Sequence, residues 1–197
     1  HLFNIVRNYL KKEKPFVETY DPKKLEYNFC DVNNLNIKKM VAIDIKRCYW
    51  RTIWKLKYID DKIYKMGLKG DFKIACNASI GSLARKRIIH EYINGKFVEK
   101  YLDDTEDYLH HYRHAVVDYV QQLSYKIKNE VPLCMFLTDC FFVDAEYVST
   151  ITDILKSENY DYSISNINIT DYRIFGKTVN VSWKTEDDDK SFYFKII

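Results

Sequence analysis

The chain has 197 residues, 47% hydrophobic and 30% charged, with 31 basic against 28 acidic side chains and a formal net charge of +3. That length suits one domain, or one domain with a small appendage, and it can bury a real core. The balance excludes a disordered, collagen-like or coiled-coil chain, and no run approaches the ~18 apolar residues that a membrane-spanning helix needs.

The first segment, Leu2–Lys12, reads as a short amphipathic helix with Phe3, Val6 and Leu10 on one face. Residues 13–38 read as irregular, broken by Pro15 and Pro22. Met40–Ile45 (MVAIDI) is a buried strand ending in a carboxylate, and Trp50–Ile59 is helical. Asp71 caps a helix expected to run to about Tyr92, and Asn94-Gly95 marks a turn. A long helix follows from about Thr105 to Lys128, its apolar positions Leu109, Tyr112, Val116, Val120, Leu123 and Ile127 stepping by three or four. Leu133–Asp144 (LCMFLTDCFFVD) is a tight hairpin with Thr138-Asp139 at its tip, and Ala145–Lys156 is amphipathic. From Tyr160 onward alternation dominates, which predicts antiparallel strands, with the acidic run Glu186–Asp189 as a solvated loop.

The five cysteines (30, 48, 76, 134 and 140) are odd in number and form no CxxC, so neither a disulfide framework nor a zinc-thiolate site is expected, and a reducing compartment suits them. HLFNIVRNYLKK has no Met and no signal-peptide layout, so the sequence predicts a non-secreted protein that starts inside a longer product or follows a removed tag.

Two carboxylates stand where strands should be apolar: Asp44 ends MVAID, and Asp139 lies between MFLT and CFFV. A buried lone Asp is costly unless it is paired or binds a metal. Each acid taken singly reads as a turn residue outside the core, and the pair carries weight only in context.

That context is three motifs in order. Asp44-Ile-Lys-Arg-Cys-Tyr49-Trp places an Asp five residues before a Tyr at a strand-to-helix turn. Lys73-Ile-Ala-Cys-Asn77-Ala-Ser-Ile-Gly81 places Lys, Asn and Gly at helical spacing, and Phe136-Leu-Thr138-Asp139-Cys140 is a hairpin tip. Together, over residues 40–144, they resemble motifs A, B and C of family B DNA polymerases, of the replicative kind that includes protein-primed viral and plasmid enzymes, strongly reduced. The departures are Leu137 for the first Asp of Asp-Thr-Asp, Ile80 for Tyr, Arg47-Cys48 for Ser-Leu, Trp50 for Pro and Cys140 for Ser. Only 22 residues, Arg51–Phe72, separate motifs A and B, where the family places much of its fingers.

The resemblance implies an α+β fold, with an antiparallel palm-like sheet backed by two or three helices. It implies an N-terminal helix and irregular segment (1–39), then a palm-like nucleotidyltransferase domain (40–197) with a minimal fingers insert (51–92). Asp44 and Asp139 are the expected catalytic pair and hold Mg²⁺ or Mn²⁺, with the Ile45 carbonyl as a further oxygen. Lys73 and Asn77 are expected on the triphosphate, Tyr49 under the sugar, and Gly81 on a face small enough for a base pair to approach. Arg85 and Arg87, in the densest basic stretch, and Lys177, where the family has a Lys-x-Tyr element, are expected to touch nucleic acid. The implied function is two-metal addition of deoxynucleoside triphosphates to the 3′ end of a DNA primer-template, in the cytoplasm or a host cytoplasm, with no membrane partner. The short insert and tail call for an additional protein or chain segment. Two alternatives stand beside it: a degenerate palm that binds nucleic acid or a replication partner, and a metal-dependent nuclease.

His110, His111 and His114 (HHYRH) allow an i, i+4 metal pair on the long helix. With no third ligand evident, the sequence reads this stretch as an exposed helix face.

Overall fold

A computed structural model describes residues 2–13, 28–69, 72–84, 87–103 and 108–197. They form six helices and nine strands, besides short 3-10 turns. The chain groups into two compact units. The first contains α1 (Leu2–Glu13) and the described residues of Tyr49–Val117; the second contains the described residues of Lys23–Cys48 and Asp118–Ile197.

The first unit is mostly helical. It comprises α1, α2 (Cys48–Lys55), α3 (Asp61–Leu68), α4 (Lys73–Gly81) and the start of α5 (Leu109–Glu130). In α1 the buried residues are Leu2, Val6 and Leu10, one per turn, with Phe3 only half-buried. They share a core with Trp50, Ile53, Ile63, Cys76, Ile80, Leu109, Tyr112 and Val116. Asp60 starts α3 as its N-cap, its carboxylate accepting from the Ile63 N–H at 2.7 Å.

The helix expected to run to Tyr92 ends at Gly81 and continues only as a 3-10 turn, Ser82–Ala84. Arg87–Ile93 (RIIHEYI) is instead strand β3, paired antiparallel with β4 (Lys96–Asp103). The physical reason is its run of β-branched and aromatic residues followed by Asn94-Gly95. Those two residues have φ of 51° and 78°, as a tight type I′ hairpin turn requires. The capping role expected of Asp71 lies outside the described residues.

The second unit corrects the expected architecture. Its strands are β1 (Asn28–Cys30), β2 (Lys39–Ile45), β5 (Met135–Leu137), β6 (Cys140–Val143), β7 (Tyr162–Phe175), β8 (Thr178–Lys184) and β9 (Asp189–Ile196). They form a closed barrel in the order β1-β5-β6-β2-β7-β8-β9, not an open antiparallel palm-like sheet backed by helices. The cause is β1, which lies in the stretch read as irregular. It pairs antiparallel with β5 on one side and parallel with β9 on the other. Three residues thus close the ring and remove both sheet edges. All other neighbours are antiparallel.

Side-chain alternation gives β2 two roles. Met40 and Ala42 join Cys30, Met135, Phe142, Ile167, Ile169, Val179, Val181, Trp183 and Phe194 in one buried cluster. Residues of opposite parity, Val41, Ile43 and Ile45, are also buried. Phe29, Phe136 and Phe141 form a separate aromatic stack, with Phe29 parallel to Tyr125 of α5 at 5.8 Å. Helix α6 (Val148–Ser157) buries Ile151, Thr152 and Leu155. Among the described residues, no helix is long and apolar enough to cross a membrane.

Candidate functional site

Asp44 lies on β2, and Asp139 lies in the turn that leads into β6, the antiparallel neighbour of β2. In the β2–β6 register Asp44 is opposite Cys140, and Ala42 is opposite Phe142. Directly opposed residues project to the same face, with Cβ atoms roughly 5 Å apart. Asp44 therefore shares its face with Ala42 and Phe142, which belong to the buried cluster. Asp139 immediately precedes Cys140 in a two-residue turn. The Ile45 N–H donates to the Asp139 carbonyl at 3.0 Å, which ties the end of β2 to that turn.

The turn is built to hold its shape. Thr138 adopts φ 56°, a left-handed conformation uncommon for a β-branched residue. Its N–H donates to Asn28 Oδ1 at 3.0 Å, which pins the tip to β1. Its hydroxyl lies 3.0 Å from Asp139 Oδ1 and 2.8 Å from the Leu137 carbonyl.

Both acids, each half-buried, open into one cleft of about 670 Å³. Apolar walls come from Ala42, Phe142, Ile167 and Trp183. Leu137 and Phe192 add to them; the polar lining includes Thr185, Ser165, Ser191, the turn residue Asp188, and Asp189 and Lys190 at the start of β9. Four aspartates and one lysine thus line the cleft, and Lys184 pairs with Asp189 at 3.5 Å. The Cys140 thiol registers this field: burial pushes its pKa well up, and the charges of Asp44 and Asp139 push it further. Negative potential focused in a walled cleft attracts cations and repels a bare phosphate. The carboxylate oxygens of Asp44 and Asp139 suit a hard divalent ion such as Mg²⁺.

The remaining sequence candidates are dispersed. Ile45 is buried and does not line the cleft. Tyr49 is half-buried and packs against the helical core of the first unit. Asn77 and Gly81 are exposed on α4, and a Cβ added at Gly81 would meet nothing within 4 Å. They belong to the first unit, the two acids to the second. The side chains of Lys73 and Arg87, and all of Arg85, lie outside the described residues. Lys177 is exposed in the β7–β8 turn. It lies at the far end of the seven-residue β8 from Thr185, about 20 Å from the cleft's border at ~3.3 Å per residue.

The sequence reading missed Asp188 and Asp189, which it placed in a solvated loop, and did not single out Lys190. They are exposed, but the β8–β9 turn brings them to the cleft. A cluster of acids at a hairpin turn was the available signal, and only barrel closure shows where that turn lies. Compared with protein-family models and with curated proteins, the chain matches none.

Proposed function

We propose that the cleft of Asp44 and Asp139 binds Mg²⁺ or Mn²⁺ and serves nucleotidyl transfer from a deoxynucleoside triphosphate to a primer 3′ end. The observation that carries this reading is that two acids 95 residues apart, found at the two motif positions in the sequence, line one acidic cleft from β2 and from the turn into its neighbour β6. The order of the three motifs supports it; the fold does not, because a closed barrel is a different scaffold. Bound divalent ions supply Lewis-acid stabilisation of the transferring phosphate. Asp44 and Asp139 hold the ions, and the acidic rim rejects phosphates that arrive without a cation. The apolar wall of Trp183 and Phe192 offers a surface for a base. The nucleic-acid primer-template, the triphosphate and an additional protein or chain segment are the partners of this reading.

A second reading, binding without catalysis, has its own observation. Among the described residues, Asp44 and Asp139 are not joined by a third His, Cys, Asp or Glu at ligand distance; His110, His111 and His114 alone form such a trio. Primer extension separates the two. In Mg²⁺ or Mn²⁺ the protein is expected to lengthen a labelled primer by at least one nucleotide. Asp139→Asn and Asp44→Asn should each lower that rate by about a hundredfold or more, as loss of a major charge-stabilising group does. Primer–template binding with no extension in either metal would support the non-catalytic reading. Shortening of the primer would identify a nuclease.

A further inference from the structure

Helix α5 carries three histidines in its first two turns, at i, i+1 and i+4. At ~100° per residue they span a sector of about 100°, so all three rings stand on one side of the helix. The His110 ring centroid is 4.0 Å from that of His111 and 5.1 Å from that of His114. One possible ligand atom from each lies within 4.8 Å of the other two. The expected exposed helix face is not observed: His110 and His111 are half-buried, and His114 is 7% exposed.

Burial makes the next observation informative. Among the described residues, the Nδ1 atoms of His111 and His114 are both buried and have no hydrogen-bond partner. A buried polar nitrogen without a partner costs about 1–3 kcal/mol, and this cluster contains two. An ordinary buried histidine is held by a carbonyl or a carboxylate. Here both orphaned rings lie against the His110 ring, and one ligand atom from each of the three lies close to the other two, an arrangement that a shared cation would satisfy.

We propose that His110, His111 and His114 bind one divalent transition-metal ion of the Zn²⁺ class through three imidazoles, leaving a further position for water or another ligand. Imidazole selects Zn²⁺, Co²⁺, Ni²⁺ or Cu²⁺ over Mg²⁺. Zn–N bonds of ~2.0–2.1 Å require the three ligand atoms to draw closer than 4.8 Å. The form required is the neutral ring. This site stands apart from the carboxylate cleft in ligand type and in unit, and does not rest on the nucleotidyl-transfer reading.

The test is optical titration of the metal-free full chain with Co²⁺ alone. One equivalent should produce visible d–d bands, which equimolar Zn²⁺ abolishes and millimolar Mg²⁺ leaves unchanged. His110→Ala and His111→Ala should each weaken binding by more than the roughly tenfold that loss of a supporting group costs. His90→Ala, at an exposed strand position, should leave the bands intact. Because His114 is buried, its replacement tests packing as well as binding, so the decisive variants are the two half-buried histidines, checked for native far-ultraviolet circular dichroism. No d–d bands with the folded wild type, or unchanged affinity in both folded variants, would overturn the proposal.

Discussion

Cys30 and Cys134 meet inside the barrel, both almost fully buried. The thiol–thiol hydrogen bond and burial hold the Cys30 pKa far above its ordinary 9.0, with the charge of Asp31 adding to the effect. The sign of the pH dependence follows. In the unfolded chain this thiol ionises as pH passes 9, whereas in the folded chain it stays protonated. Its contribution to stability is complete below pH 9 and falls above it, by up to about 1.4 kcal/mol per pH unit for the one proton. Urea unfolding at pH 8 and pH 10 should therefore show a lower midpoint at pH 10, and Cys30→Ala should reduce that difference. Equal differences in the two proteins would remove Cys30 as the cause. Asp44 and Asp139 were legible at this scale because acids at the ends of apolar strands contradict their surroundings. The His cluster was only half legible: the sequence offers His110, His111 and His114 as an i, i+4 pair and a neighbour on an exposed face, but their burial arises from packing.

At the scale of elements, helix α3 approaches α2 so closely that Gly67 has no room for a side chain. A Cβ there would fall within contact distance of three atoms of the Trp50 indole. Trp50 is fully buried and fixed by its Nε1–H donating to the Tyr64 carbonyl at 3.2 Å. The Cys76 thiol also donates to the Gly67 carbonyl at 3.4 Å, so the backbone cannot retreat without losing a contact. Alanine gains about 1 kcal/mol of helix propensity over glycine, but overpacking a tight core costs about 1–3 kcal/mol. Gly67→Ala should be net destabilising by roughly 1–2 kcal/mol; thermal unfolding measures it, and a raised midpoint would show that the Trp50 ring yields freely. Helices α1 and α5, strand β2 and the β5–β6 hairpin were legible because each repeats its period over several residues. Strand β3 was not, because Gly81, which ends α4, also fits a small residue inside a longer helix, and no Pro follows it before Arg87. β1 was not, because three residues are too few to show alternation.

At the scale of the molecule, no local pattern announces that a sheet closes. The sequence supports antiparallel strands in the C-terminal part, and these are present, but closure depends on one parallel contact between Phe29–Cys30 and Lys195–Ile196, more than 160 residues away. Closure also explains the cleft: it brings the β8–β9 turn, with Asp188 and Asp189, to the same cavity as Asp44 and Asp139. The central claim is that this cavity holds a divalent ion on Asp44 and Asp139. The most direct measurement is metal-directed backbone cleavage, in which Fe²⁺ occupies the Mg²⁺ site, ascorbate and peroxide generate hydroxyl radicals there, and fragments are sized by mass spectrometry. Cuts should cluster near residues 44, 139 and 188–190, fade with excess Mg²⁺ and disappear in Asp139→Asn. Cleavage absent from these three segments, or present there but indifferent to Mg²⁺ and to Asp139→Asn, would contradict the claim.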